Sequence, residues 1–362
     1  MTGAGSVAPD RGGYPPWSAI RESHWLRGHD LPMIEADMPT FMRRPHAIDP
    51  SDLEDADVAI IGSSFVSGWT GEYAGVPKGE WAASPKRVRQ QSARYVSGYI
   101  QDFDLDVFEH LRVVDFGDAE LAPEAVHSQR VDVILQAQAA VEEKVQQVLA
   151  AGALPIVIGQ NSPCATFAVA KTLAAVTDGD VGMVSLDTHW DANLIDRHTA
   201  DRRIAGSGSW LQKTLEFVPN MDARHVVEIG PRGMLEHASI VRDLRRRGAT
   251  LISGWDVRGL GIDEVCRRLD SAYSGTARVY SHFDLDVVGG NGGPPAEILA
   301  DLAEPLGITD YDLLRVAHEV GSRGVGAASF VCIAPGSALM YRLVVFAVMY
   351  LLAGRIAGKT AA

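Results

Sequence analysis

The sequence predicts an α/β protein built on a parallel sheet of about eight strands, with helices covering both sheet faces. Three observations predict this. Short runs, most of them rich in Val and Ile, recur at 57–62, 111–116, 154–158, 181–186, 226–229, 250–253, 278–283 and 327–333. Most are apolar at consecutive positions rather than alternate ones, which is the pattern of strands that meet water on neither face. Segments with helical spacing of apolar residues fall between them, and strand–helix alternation implies parallel strands joined by crossovers.

Taken in order, the first fifty residues read as an irregular arm. Trp17, Trp25, Pro32, Met33 and Phe41 lie in it and need cover, from the body of the protein or from a neighbouring subunit. Residues 51–362 form one domain. The 362-residue chain suits a single large α/β unit, with no internal repeat or low-complexity linker to divide it. The clearest helix spans 131–151, where apolar residues recur at helical spacing and Gly152 can end it. Further helices are expected at 165–176, 236–247, 262–273 and 311–321. The most apolar run, 343–353, is about half a membrane span and follows Arg342. It reads as a buried C-terminal helix.

Composition narrows the function. Hydrophobic residues at 46% and charged residues at 22% make a soluble globular balance. Acidic residues outnumber basic ones by 46 to 33, giving a net charge of −13 and no basic footprint for nucleic acid. Arg242, Arg245, Arg246 and Arg247 read as a solvated helix face. Three widely spaced cysteines, Cys164, Cys266 and Cys332, are no disulfide framework and fit a reducing cytoplasm. Residues 1–14 are Gly-rich and lack an apolar signal core. The expected partner is a small molecule rather than nucleic acid or a membrane.

Two motifs carry the chemistry. Ser185-Leu-Asp-Thr-His-Trp-Asp-Ala-Asn193 places Asp187, His189 and Asp191 at alternate positions just beyond a buried strand. An extended segment sends alternate side chains to one side, so the three can converge. Ser281-His-Phe-Asp-Leu-Asp286 brings Asp284 and Asp286 to a second strand end. A lone Asp-x-Asp is more often a loop cap binding backbone amides. Two such motifs, each after an apolar strand, point instead to a cation that balances the charge. Four carboxylates and an imidazole suit Mn²⁺ or a similar divalent ion better than a structural zinc. Two ions sharing bridging carboxylates would supply a nucleophile at neutral pH.

Asp187-Thr-His-Trp-Asp191 resembles the Asp-Ala-His-x-Asp signature of the ureohydrolase (arginase/agmatinase) superfamily. His282-Phe-Asp-Leu-Asp286 resembles its Ser-Phe-Asp-x-Asp signature, with His282 in place of serine. Weaker similarities run from near Thr40 to near Arg355. They include Thr40-Phe-Met, Ser84-Pro-Lys-Arg-Val-Arg89 (similar to a Gly-Pro-x-Ala-Ile-Arg loop), 151–159, and Val331-Cys-Ile-Ala-Pro335 in place of Val-Glu-Val-Ala-Pro. The resemblance implies a three-layer α/β/α sandwich with an eight-stranded, mostly parallel sheet, a binuclear manganese centre, a trimer or hexamer, and hydrolysis of a guanidino or formimino group. It implies that Asp187 and Asp284 bridge the ions. Asp191 would bind the first ion and hydrogen-bond the nucleophile, and His189 and Asp286 would bind the second.

Three departures shape the expectation. Where the family has Gly-Gly-Asp-His-Ser, this chain has Gly159-Gln-Asn-Ser-Pro163, so Asn161 or Ser162 stands in for the histidine ligand and the first ion is held more weakly. Ser207-Gly-Ser-Trp-Leu211 replaces His-Gly-Thr-Pro-Phe, which removes the proton-shuttle histidine; His198 is the nearby substitute. Cys332 stands at the acid that pairs with a guanidinium group, so a plain cationic substrate loses its charge-assisted hydrogen bonds. Cys332 is read either as a small buried hydrophobe or as a ligand or nucleophile. Asn193 matches a position that binds the amino-acid end of arginase substrates. Trp190 and Trp210 flank the expected site by sequence, as core packing or as walls that narrow it. Gly289, Gly290, Gly292 and Gly293 reshape the loop after the second motif.

The leading expectation is a divergent metal-dependent hydrolase of a non-peptide C–N bond, in a modified guanidine, amidine or amide. Two others stand beside it: a single-ion amidohydrolase resembling the deacetylases that share the fold, and a catalytically silent homologue serving as a binding or assembly subunit.

Overall fold

The computed structural model describes residues 17–23, 26–66, 72–73, 76–122, 128, 130–160, 163–193, 201–234, 236–289 and 304–361. Eight strands make the central sheet: β1 (Val58–Gly62), β2 (Val113–Asp118), β3 (Leu154–Ile158), β4 (Val181–Leu186), β5 (Val226–Gly230), β6 (Thr250–Ser253), β7 (Arg278–Asp284) and β8 (Ala327–Val331). Their spatial order is β6-β5-β4-β7-β8-β3-β1-β2, and every pairing is parallel.

Alternation along the strands divides the core in two. Val58, Ile60, Val184, Leu186, Phe283 and Phe330 face α6 (Asp310–Arg323) and α7 (Ala338–Ala361). Ala59, Ile61, Met183, Val226, Tyr280 and Val331 face α2 (Val131–Ala150), α3 (Ala168–Ala175), α4 (Trp210–Phe217) and α5 (Ala238–Arg246). The fold is the three-layer α/β/α sandwich that the sequence predicts. The 343–353 run is the middle of α7. That helix is long and apolar enough to cross a membrane, yet its Val344, Val345, Ala347, Val348, Leu351 and Leu352 are buried in the core it shares with α6.

Several elements differ from expectation. Residues 84–89, which resemble a loop, lie in helix α1 (Ser84–Ser92), with Pro85 in the first turn, where its missing N–H costs nothing. The 262–273 helix is two pieces, Ile262–Arg267 and Asp270–Tyr273. Strand β8 ends at Val331, because Cys332 turns into the left-handed region at φ 52°. The arm carries a helix, Trp17–Ser23, and a short antiparallel pair, Met33–Glu35 with Met38–Pro39. Trp17 and Phe41 are buried against the body; Trp25 lies outside the described residues. Residues 45–47 lie along the edge strand β2, where Ala47 N donates to Asp115 O (2.8 Å) and Asp115 N donates to Pro45 O (2.9 Å). An open sheet edge is thereby paired rather than exposed.

Topology places the site. From β4 the chain passes to β5 on one side; from the adjacent β7 it passes to β8 on the other. The connections diverge there and leave a crevice at the carboxyl ends of β4 and β7, where parallel α/β sheets bind ligands.

Candidate metal centre

Both acidic motifs end at that crevice. Leu186 of β4 pairs with Phe283 of β7, so Asp187 and Asp284, one residue on, leave the sheet side by side. Beyond Asp187 the backbone turns. Asp187 Oδ1 accepts from His189 N (2.7 Å), and Asp191 adopts a left-handed φ of 45°, a conformation that Asp tolerates better than most residues. Trp210, at the start of α4, donates its Nε1–H to Asp191 Oδ2 (2.9 Å), and Leu211 N donates to Asp191 O (3.0 Å). On the second motif, Asp284 Oδ1 accepts from Asp286 N (3.1 Å). Thr188 bonds Asp286 twice: its N donates to Oδ1 (3.1 Å) and its Oγ1 to the backbone O (2.8 Å). Arg232 Nη2 donates to the same backbone O (3.1 Å) and its Nη1 to Val287 O (3.1 Å), fixing this turn from β5.

The side chains converge in three overlapping sets: Asp187, Asp191, His282 and Asp284; Asp187, His189 and Asp286; and Asp284, Asp286 and Cys332. In each, one ligand atom per residue lies within 4.8 Å of all the others. His189 Nδ1 is 3.2 Å from Asp286 Oδ2 and 3.5 Å from Asp187 Oδ1. Cys332 Sγ is 3.8 Å from Asp286 Oδ2.

Electrostatics explains what this crowding requires. Burial, then repulsion from Asp286, Asp187 and Asp191, pushes the Asp284 carboxyl well above the usual range. Burial also works to raise Asp187, but His189 and His282 outweigh it and hold it at about 2. Burial opposes the charge on His189, yet Asp187 and Asp286 outweigh that and raise its pKa far above the imidazole range. Burial, with Asp284, Asp286 and Asp187 close by, raises the Cys332 thiol well above 9. Four carboxyl groups this close and this buried repel one another unless a cation stands among them. The donor set of carboxylate oxygens with imidazole fits a divalent ion of the Mn²⁺ kind.

The remaining predicted residues are dispersed. Asn193 is exposed, and its N donates to Gly208 O (2.9 Å), so it adjoins the turn that begins at Ser207. Trp190 is 9% exposed and belongs to the core on the α2–α5 side of the sheet. Cys332 rests partly on the same core. Asn161, Ser162, His198 and the 290–293 loop lie outside the described residues.

Sequence reasoning missed Thr188, Arg232 and Glu228. Glu228 is 1% exposed, and its carboxyl is raised well above the usual range by burial, then by Asp187 and Asp191. Its signal was available: an acid inside the apolar run Val226-Val-Glu-Ile229 has no place unless something polar lies beside it.

Comparison with known proteins gives the same frame. The profile of the Arginase family matches residues 56–348. A formimidoylglutamase of Halobacterium salinarum is 26% identical over 297 residues, 77% of this chain and 87% of its own. Among solved structures, the formimidoylglutamase of Bacillus subtilis superposes with a TM-score of 0.71 at 15% identity, over 93% of this chain and 98% of that one. Proclavaminate amidino hydrolase of Streptomyces clavuligerus gives 0.69 at 22% identity, over 89% and 98%. A Trypanosoma cruzi formiminoglutamase with Mn²⁺ gives 0.67 at 21% identity, over 88% and 99%. With the profile match spanning most of the sequence and the strand-end acids in place, the chain belongs to the arginase family.

Proposed function

We propose that this protein is a divalent-cation-dependent hydrolase that cleaves a C–N bond of an amidine-type group, of the formimino or modified guanidino class. The observation that carries this reading is the meeting of Asp187, His189, Asp191, Asp284 and Asp286 at the switch point between β4 and β7. These five would hold the ion or ions, and Mn²⁺ is the metal present in the similar Trypanosoma cruzi structure. When bound, such a cation supplies Lewis-acid polarisation and a nucleophile at neutral pH.

The chain's own residues do the rest. Trp210 anchors Asp191 through Oδ2, which sets that carboxylate to hold the proton of the attacking group. Thr188 and Arg232 immobilise the Asp286 turn, so the site keeps its shape without reorganising during reaction. Cys332 beside Asp286 offers a substrate no carboxylate of its own, which disfavours an unmodified cationic guanidinium. A substrate that carries its own carboxylate fits better, because exposed Asn193 and half-buried Ser207 at the adjoining turns offer polar contacts.

The test is an assay of Mn²⁺-loaded protein against N-formimino amino acids, guanidino acids, arginine and agmatine, following release of formamide, ammonia or urea. Turnover of a formimino or guanidino acid is expected, with arginine and agmatine poorer. Asp191→Asn should lower kcat by about 10²–10⁴-fold, the usual worth of a positioned acid or base. No turnover of any of these with full metal loading would remove the proposal.

A further inference from the structure

One buried histidine has a place in the site that the shared motifs do not give it. On β4, β5, β7 and β8, the residues Ser185, Glu228, His282 and Ser329 pair across neighbouring strands, making one polar row on the sheet face beneath α2 and α4. All four are at most 1% exposed. Ser329 Oγ accepts from Tyr280 OH (2.9 Å). By contrast, neither ring nitrogen of His282 has a hydrogen-bond partner among the described residues. A buried imidazole left in that condition calls for an explanation, because nearly all buried polar groups are satisfied.

The geometry supplies one. Residues 282 and 284 are two apart on β7, so both side chains leave the same sheet face. His282 Nε2 is 3.6 Å from Asp187 Oδ2, too long for a hydrogen bond but a spacing that a shared ion would span. His282 belongs to the buried set with Asp187, Asp191 and Asp284, all within 4.8 Å of one another. Its ring is held by Trp210, whose centroid lies 4.6 Å away at 53°, and the same indole anchors Asp191. One tryptophan thus orients two members of the set.

We infer that His282 is a metal ligand, supplying from inside the sheet the imidazole that the stretch after β3 lacks, where the sequence has Asn161 and Ser162. The first cation site is then Asp187, Asp191, Asp284 and His282, three carboxylates and one imidazole. This inference rests on the proposal that the site holds divalent cations, and it goes further in naming a ligand from another strand.

The test titrates Mn²⁺ into the full chain by calorimetry and reads nitrogen couplings by pulsed electron paramagnetic resonance, with natural and ¹⁵N-labelled histidine. The wild type should show two coordinated imidazoles, from His189 and His282. His282→Phe keeps the ring packed on Trp210 and removes both nitrogens. It should lose one coupling and weaken the first site by at least about 100-fold, since changing outer-shell partners alone costs about 10–100-fold. An unchanged Kd and unchanged couplings in His282→Phe would overturn the inference. If that variant does not fold by circular dichroism, His282→Gln is judged by the same couplings, and the wild-type spectrum decides alone: a single coordinated imidazole also overturns it. A wild type that binds no Mn²⁺ would instead sink the hydrolase proposal and this inference together.

Discussion

Trp210 is fully buried, yet its indole N–H is committed to one carboxylate oxygen of Asp191. Trp210→Phe would keep most of the ring contact with His282 and remove only that donor. Leaving a buried acceptor short of a partner costs about 1–3 kcal/mol, and loosening an outer-shell contact lowers metal affinity by about 10–100-fold. Thermal melting and Mn²⁺ calorimetry on the variant check both; unchanged affinity would show that Asp191 is positioned by something else. The thiols give a second prediction, in pH. Burial, followed by the nearby Glu319, raises Cys266 to about 11 from an ordinary value near 9. The fold therefore favours the neutral thiol. That contribution is complete below pH 9 and is lost as the pH climbs through about 11. The stability gap between wild type and Cys266→Ala, measured by urea unfolding, should shrink across that interval; a gap that widens would contradict the sign. The two acidic motifs were legible at this scale because alternate acids after apolar strands have few other uses. His282 and Glu228 were harder to read, since a single polar residue inside a strand shows its purpose only once the neighbouring strands supply the rest of its row.

Helices α6 and α7 pack on one another through small residues. A Cβ at Gly321 would lie 2.0 Å from Leu351 O, and one at Gly354 would lie 1.9 Å from His318 O. The two backbones have approached to a distance that only glycine permits, and backbone atoms cannot move aside as a flexible side chain can. Gly321→Ala or Gly354→Ala should cost about 1–3 kcal/mol through overpacking, even though alanine is the better helix former. A lowered melting temperature with an unchanged circular dichroism spectrum is the expected outcome; a stabilised variant would mean the helices separate freely. At this scale the sequence was most legible where periodicity was long. All eight strands of the sheet and the 131–150 helix were read within a few residues of their bounds. Short elements escaped because a turn or two of helix leaves no period to detect: α4 and Gly254–Leu260 were not foreseen. The 262–273 segment has helical spacing throughout, but the helix breaks at Arg268 and Leu269, before Asp270 starts a new turn.

Across the whole molecule, the arm, helix α1 and the edge strand β2 meet on one buried ion cluster. Arg89 donates from Nε to Asp115 Oδ2 (2.8 Å) and from Nη2 to Asp115 Oδ1 (2.9 Å), and also pairs with Asp118. Burial opposes the charge on Arg89, but Asp115 and Asp118 outweigh it and raise its pKa. Asp115 Oδ2 also accepts from Phe41 N (2.7 Å), which draws the arm onto the sheet edge. Asp115 is fully buried, so removing its partner strands a charge in the interior. Arg89→Met or Asp115→Leu alone should each destabilise by about 3–5 kcal/mol, while the double variant, with no buried ion left unpaired, should cost less than either single change. A urea-unfolding cycle over the four proteins measures this. The cluster lies on β2, four strands from β7 in the sheet, so Mn²⁺ affinity should be unchanged wherever the protein remains folded. Costs that simply add, or a loss of metal binding in the folded single variants, would show that the edge and the site are not independent parts of this fold.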